Sequence, residues 1–97
     1  MISHLEANEF LDLYEPLLTK RQQEVLELYF QEDLSLAEIQ ENLAVSKAAV
    51  YDALKKGVAA MENFEAILHL RAKSKVLARF LEHHPEYEEE LGSLLES

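Results

Sequence analysis

The sequence predicts an all-α protein, and three observations predict it. Apolar residues recur with a period near 3.6 in every segment and nowhere alternate strictly over a strand's length. Glycine and proline occur only twice each, at Gly57, Gly92, Pro16 and Pro85, so the turns that a strand-rich fold needs are missing. Thr19, Ser35 and Ser46 stand where helix N-caps belong, and Thr19–Gln22 and Ser35–Glu38 have the spacing of capping boxes.

A first helix is expected over 4–15, with Leu5, Phe10, Leu13, Tyr14 and Leu17 near one side. Pro16 disfavours helix at Glu15, so the chain should bend there. "TKRQQEVLELYF" opens the second helix under the Thr19–Gln22 box. Its broad apolar face (Val25, Leu26, Leu28, Tyr29, Phe30) marks the centre of the core. Ser35–Glu38 opens a short third helix carrying Leu36, Ile39 and Leu43 and ending near Leu43; its cap contributes about 1 kcal/mol. Ala44-Val45-Ser46 is a turn with Val45 as its buried aliphatic and Ser46 as the next N-cap. Val50, Leu54, Val58, Met61, Phe64 and Leu68 then run as one helix to about residue 68. Gly57 inside it costs roughly 1 kcal/mol against Ala, which close approach of another backbone would explain. "LRAKSKVLARFLEHH" puts Val76, Leu77, Phe80 and Leu81 on one face and ends at Pro85. "EYEEELGSLLES" offers Tyr87, Leu91, Leu94 and Leu95 as a last short amphipathic helix. The expected organisation is a single all-helical domain over 1–97, with a helix-turn-helix core at 19–68 and a C-terminal helical extension at 69–97.

Composition narrows the function. Of the 97 residues 48% are apolar, enough to fold and too many for a disordered tail. The absence of Cys excludes disulfides and Cys-based zinc sites and fits a reducing compartment. No apolar run approaches about 18 residues, so no membrane span is expected. "MISHLEANEF" lacks the basic and apolar regions of a signal peptide, and a cytoplasmic protein is expected. His83 and His84 are adjacent, so they point apart on a helix, and "EYEEE" lacks the ligand spacing of a calcium loop. Glu24 and Glu27 have no His, Lys or Ser beside them for acid–base work, and no Gly-rich phosphate loop occurs. No catalytic residue, metal site or cofactor is therefore expected, and the protein is not read as an enzyme.

The net charge of -10 hides an uneven distribution. Residues 1–46 carry net -8, residues 47–81 net +4 and residues 82–97 net -6. Exposed charges more than about 8 Å apart are largely screened at physiological salt, so the basic middle can still attract a polyanion.

Residues 34–57, "LSLAEIQENLAVSKAAVYDALKKG", meet the requirements of a wingless helix-turn-helix. A short capped helix, a three-residue turn and a second capped helix hold the second helix proud of the body, where its first turns can enter a major groove.

"LLTKRQ", "LYFQEDLSLAEI" and "VSKAAVYDALKK" resemble the YlxM family, over about Phe10 to Leu70. These small bacterial proteins are similar to region four of sigma factors and are encoded beside genes of the signal recognition particle. The resemblance implies an all-helical, cytoplasmic regulatory protein, or an accessory of the signal recognition particle pathway. The sequence also departs from the family, which commonly reads Arg-Gln for Lys47-Ala48, Asn for Ala53 and often Gly for Ala44. By the same likeness to sigma factors, Lys47, Ala48 and Tyr51 fall where Arg, Glu and Arg reach base edges.

The candidate nucleic-acid contacts are therefore Ser46, Lys47, Ala48, Tyr51, Asp52, Lys55 and Lys56. Lys47, Lys55 and Lys56 can attract phosphate, while Ala48 offers only a methyl to a thymine. Asp52 either accepts from a cytosine amino group or pairs with Lys55 at i,i+3. Further candidate backbone contacts are Lys20, Arg21, Arg71, Lys73 and Lys75. The stretch that holds the last three, with His69 and Arg79, is equally read as a solvated face paired with the acidic N-terminal helix. The expected partners are DNA, or the RNA or protein of the signal recognition particle. Under the protein reading, the alanines at 48, 49, 53, 59 and 60 form a close-packing face for a partner helix. The long fourth helix and C-terminal helices offer a surface for a homodimer.

Overall fold

The computed structural model describes residues 2–95, and among them there are helices and turns but no strand. Six α-helices follow one another: α1 (His4–Tyr14), α2 (Lys20–Leu26), α3 (Leu36–Leu43), α4 (Lys47–Leu68), α5 (Leu70–His83) and α6 (Glu88–Leu91). The molecule is elongated, with principal extents of 52 × 24 × 20 Å.

Local chemistry sets most of the helix starts. Ser3 caps α1, its hydroxyl accepting from the Glu6 N–H. The two capping boxes form as spaced: Thr19 and Gln22 satisfy each other's backbone N–H at 3.2 and 3.1 Å, and Ser35 and Glu38 at 3.2 and 3.0 Å. Each satisfies N–H groups that a helix start otherwise leaves without a partner. The bend at Pro16 is real, but α1 stops at Tyr14 and Glu15–Leu17 tightens into a 3-10 turn. Leu5 and Leu17, expected near one side with Phe10 and Tyr14, are 73% and 57% exposed. The inner stripe of α1 is Ala7, Phe10, Leu11 and Tyr14.

The second helix does not run evenly to its end. Beyond Leu26 it widens into a π-helical turn over Glu27–Gln31, closed by Glu32 N–H donating to the Glu27 carbonyl at 3.0 Å. Asn8 of α1 donates its side-chain N–H to the Phe30 carbonyl at 3.2 Å, a group the wider turn leaves available. The turn carries Phe30 into the core with Val25 and Leu26.

α4 is the axis of the fold, packing on α1, α2 and α3. Val50, Ala53, Leu54, Gly57, Val58 and Met61 form its buried face. Gly57 is needed for a close approach, as its cost suggested, but the neighbour is a side chain and not a backbone. A Cβ at Gly57 would stand 2.7 Å from Leu26 Cδ1 and 3.5 Å from Gln22 Cβ. Leu26 is wholly buried, so its side chain has little room to give.

α4 ends at Leu68, where His69 turns into the left-handed region (φ 56°) and α5 begins at once. Glu65 bridges this corner. Its carboxylate accepts from the Tyr14 hydroxyl at 2.6 Å, from Arg71 N–H at 2.9 Å and from Ala72 N–H at 3.2 Å, so it caps α5 from the helix before. Tyr14, fully buried, completes the knot by accepting from Leu70 N–H at 3.2 Å.

The C-terminal segment is more broken than its apolar spacing suggests. It is a 3-10 turn over Pro85–Tyr87, the single turn of α6, and a second 3-10 turn over Gly92–Leu95. Leu91 is half-buried and Leu94 is 67% exposed, so no continuous amphipathic helix forms. The side chain of Leu95 and the whole of Glu96 and Ser97 lie outside the described residues.

Candidate nucleic-acid interface

The candidate interface is built by the turn between α3 and α4. α3 ends on Ala44, which takes the left-handed conformation (φ 53°, ψ 46°). That reversal brings Ser46 to the start of α4, where its hydroxyl accepts from Ala49 N–H at 3.1 Å. The hydroxyl proton of Ser46 remains available to donate. The N–H groups of Lys47 and Ala48 have no acceptor within the helix, and the helix dipole makes this end positive. An anion such as a phosphate is favoured here. Val45, expected as the buried aliphatic of the turn, is half-buried against the core.

Two sides of α4 divide sharply over its first three turns. Val50 and Leu54 are 0% and 1% exposed, and anchor the helix on the core. Lys47, Ala48, Tyr51, Asp52, Lys55 and Lys56 are all exposed on the outer side, with Ser46 at their head. Lys47, Tyr51 and Lys55 are spaced four residues apart, so they rise one above another along a single stripe. Tyr51, 53% exposed, stands between the two lysines on that stripe.

Asp52 pairs with a lysine, but with Lys56 at 3.2 Å rather than with Lys55. The i,i+4 partner wins over the expected i,i+3 one, and both members stay exposed, so the pair contributes little to stability. Its effect is chemical: Asp52 and Lys56 neutralise each other, while Lys47 and Lys55 carry no ion pair among the described residues.

The alanines separate too. Ala48, Ala49 and Ala59 are exposed, Ala60 is half-buried, and Ala53 is 7% exposed within the core. They do not form one packing face for a partner helix. Ala49, expected in the alanine face and not among the nucleic-acid contacts, is exposed next to Ala48 on the first turn of α4.

The other basic candidates are more dispersed. Lys20 and Arg21 are exposed at the start of α2, and Arg21 pairs with Glu24 at 3.4 Å. Arg71 and Lys75 lie against α1, with Arg71 Nε 2.7 Å and Lys75 Nζ 3.4 Å from Glu9 Oε2. Arg71 also reaches Glu6 at 3.8 Å and lies 5.8 Å from the Phe10 ring centre. The Arg71 hydrogen bond holds the Glu9 carboxyl below its ordinary pKa against the upward push of burial, with Lys75 adding to it. For these two bases the pairing with the acidic N-terminal helix is what the structure contains. Lys73 is exposed. α5 begins at the far end of α4, about 33 Å from Lys47 along a helix of 22 residues.

No group of three or more His, Asp or Glu among the described residues is placed to hold a metal ion. No helix among them is long and apolar enough to cross a membrane.

A model of the UPF0122 family, described as "Putative helix-turn-helix protein, YlxM / p13 like", matches residues 1–93. A UPF0122 protein of Limosilactobacillus reuteri is 49% identical over 69 residues, covering 71% of this chain and 61% of that protein. One from Oceanobacillus iheyensis is 43% identical over 75 residues, covering 77% and 71%. One from Halalkalibacterium halodurans is 39% identical over 99 residues, covering 96% and 91%. The chain thus spans about three fifths of the length of the first of these relatives and nearly all of the last.

Proposed function

This chain belongs to the UPF0122 family of helix-turn-helix proteins, and from that premise we propose that it is a nucleic-acid-binding regulatory protein that holds duplex DNA on the outer side of α4. The observation that carries the reading is the exposed Lys47–Tyr51–Lys55 stripe on the capped, core-anchored start of that helix. Lys47, Lys55 and the first-turn N–H groups hold phosphates, the Ser46 hydroxyl donates to one, and Tyr51 lies against the groove wall. Ala48 and Ala49 let the backbone approach closely and read at most a thymine methyl. Asp52, held by Lys56, is withdrawn from reading cytosine. The protein therefore binds mainly by charge and shape, with few base contacts, and Lys20 and Arg21 at the start of α2 add backbone contacts.

A salt-titrated anisotropy assay on random duplex DNA tests this. Log affinity should fall linearly with log salt, and Lys55→Gln should reduce the slope by about one unit. An absence of binding at about 50 mM salt to duplex DNA and to structured RNA alike sinks the reading.

A second reading rests on the same exposed alanines. Recognition through phosphate and shape alone suits a folded RNA, and the resemblance to proteins encoded beside the signal recognition particle points to that particle's RNA. A role as an adaptor for the particle's protein belongs to the same reading. Tighter binding to the particle RNA than to duplex DNA at equal salt favours the RNA. Capture of the particle's protein that survives nuclease treatment favours the adaptor.

A further inference from the structure

A single residue separates α4 from α5. His69 stands in the left-handed region (φ 56°, ψ 31°) between two helical neighbours. Glycine takes that conformation freely, and a histidine does not. The local sequence does not ask for a break. Between Gly57 and Pro85 there is no glycine and no proline, and "FEAILHLRAKSK" carries no residue that ends a helix. The break is held from outside instead. Leu70 N–H donates to the Tyr14 hydroxyl, and Arg71 and Ala72 N–H donate to the Glu65 carboxylate. In an unbroken helix the same three groups donate to the carbonyls of Ala66, Ile67 and Leu68. The backbone is satisfied in either form.

α5 also lies on the body without entering its core, which is drawn from α1 to α4 and the segments between them. Leu81, the one buried residue of α5, faces α6 across a shared groove. The turns beside α6 pack on α5, so the two helices form one arm. That arm meets α1 through two bases: Arg71 reaches Glu9 and Glu6 and lies over the Phe10 ring, and Lys75 reaches Glu9. The α5 of another copy can make the same contacts.

We propose that His69 is a hinge at which two copies of the chain exchange arms. His69 turns helical, α4 and α5 join into one helix over 47–83, about 55 Å long, and each arm seats on the α1 of the second copy. The ion pairs to Glu9 and Glu6 are kept, crossing from copy to copy, and the left-handed residue is relieved in both. Tyr14 keeps Glu65 as its acceptor. The freedom lost when two chains become one particle opposes the exchange, so the joined form gains with concentration. The hinge lies at the end of α4 remote from Lys47, and the exchange does not depend on whether α4 binds nucleic acid.

The test mixes two variants of the full, nuclease-treated chain. One carries Glu6→Lys and Glu9→Lys, the other Arg71→Glu and Lys75→Glu. Alone, each sets like charge against like between α1 and α5, whether its arm stays or crosses to an identical copy. Mixed, each arm meets opposite charge on the α1 of the other variant. Light scattering on a sizing column at about 100 µM in about 150 mM salt should show a one-to-one dimer, about tenfold tighter than either variant with itself. His69→Gly in both variants should weaken that dimer about tenfold, because glycine favours the left-handed turn and disfavours the joined helix. A mixture that stays monomeric overturns the proposal. So does a mixed dimer indifferent to His69→Gly, which is two closed copies touching and not exchanging. None of the four charged positions is in the core, and circular dichroism checks that both variants fold. If either does not, His69→Ala in the otherwise unsubstituted chain should dimerise about tenfold more tightly than His69→Gly, and equal behaviour of the two overturns the hinge.

Discussion

At the scale of the residue, Ala44 is under most local strain in the turn that presents α4. At φ 53° its Cβ crowds the neighbouring carbonyl, which costs an L-residue roughly 1–2 kcal/mol. Glycine removes that cost and returns part of it as lost chain entropy. Ala44→Gly should therefore stabilise the fold by about 0.5–1 kcal/mol and raise the melting temperature by roughly 2–8 °C, measured by thermal circular dichroism. An unchanged or lowered midpoint would mean that the strain is already relieved elsewhere. The caps at Thr19, Ser35 and Ser46 could be read from the sequence because each is decided within four residues. Asp52 could not be assigned a partner that way. Lys55 and Lys56 are both within reach on a helix, and only the side-chain geometry selects Lys56. Gly57 was readable as a costly position, but not the identity of its neighbour, because Leu26 arrives from thirty-one residues away in the chain.

At the scale of the element, α1 to α4 each start on a side-chain cap of their own, and α5 does not. His69 offers no side-chain cap, and the orphan N–H groups of α5 are taken by Glu65 and Tyr14. Burial pushes the Glu65 carboxyl up, but the hydrogen bonds from Tyr14, Arg71 and Ala72 outweigh it and hold the pKa below its ordinary value. Glu65→Ala should remove the cap and leave the Tyr14 hydroxyl without its acceptor, costing about 1–3 kcal/mol. Amide exchange should quicken most at Arg71 and Ala72, and uniform quickening across α2 and α4 would contradict a local role. By sequence, Arg71 and Lys75 suit two uses, as phosphate contacts or as partners of the acidic first helix. Periodicity could not choose, since both uses need an exposed basic face. Contact with Glu9 is a matter of how α5 folds back, which no local pattern encodes. The π-helical turn at Glu27–Gln31 was equally hidden, because the apolar run from Val25 to Phe30 fits an α-helix as well.

Across the whole molecule, excess acid makes stability depend on pH in two opposed ways. Glu15 sits against Glu27, with Asp12 also close, and the hydrogen bond shared with Glu27, then burial, push the Glu15 carboxyl up to about 7. A carboxyl raised on folding binds a proton in the folded state that the unfolded chain has released. Its contribution is whole below about 4.5 and is lost as the pH rises through about 7. Glu9 and Glu65 act in reverse, since their lowered pKa values withdraw stability as the pH falls below the ordinary carboxylate range. Glu15→Gln should therefore gain on the unsubstituted chain as the pH rises from 5 to 8, by on the order of 1 kcal/mol. Urea midpoints across that range check it, and a constant difference between the two proteins would rule out the shared proton. The all-α class and the helix-turn-helix could be read at this scale because the pattern is repeated many times over. The split of the alanines between core and surface could not, because alanine is at home in either.

The cap that Glu65 places on α5 also carries a consequence in time. A helix whose first turn is closed by its own sequence can begin to form as soon as it is made, at the small cost of a nucleus. α5 has no such start of its own. Its first N–H groups find their acceptors only once α4 has formed through Glu65 and α1 has delivered Tyr14 to the same corner. The C-terminal helices are therefore expected to settle last, after the body that presents α4 is built.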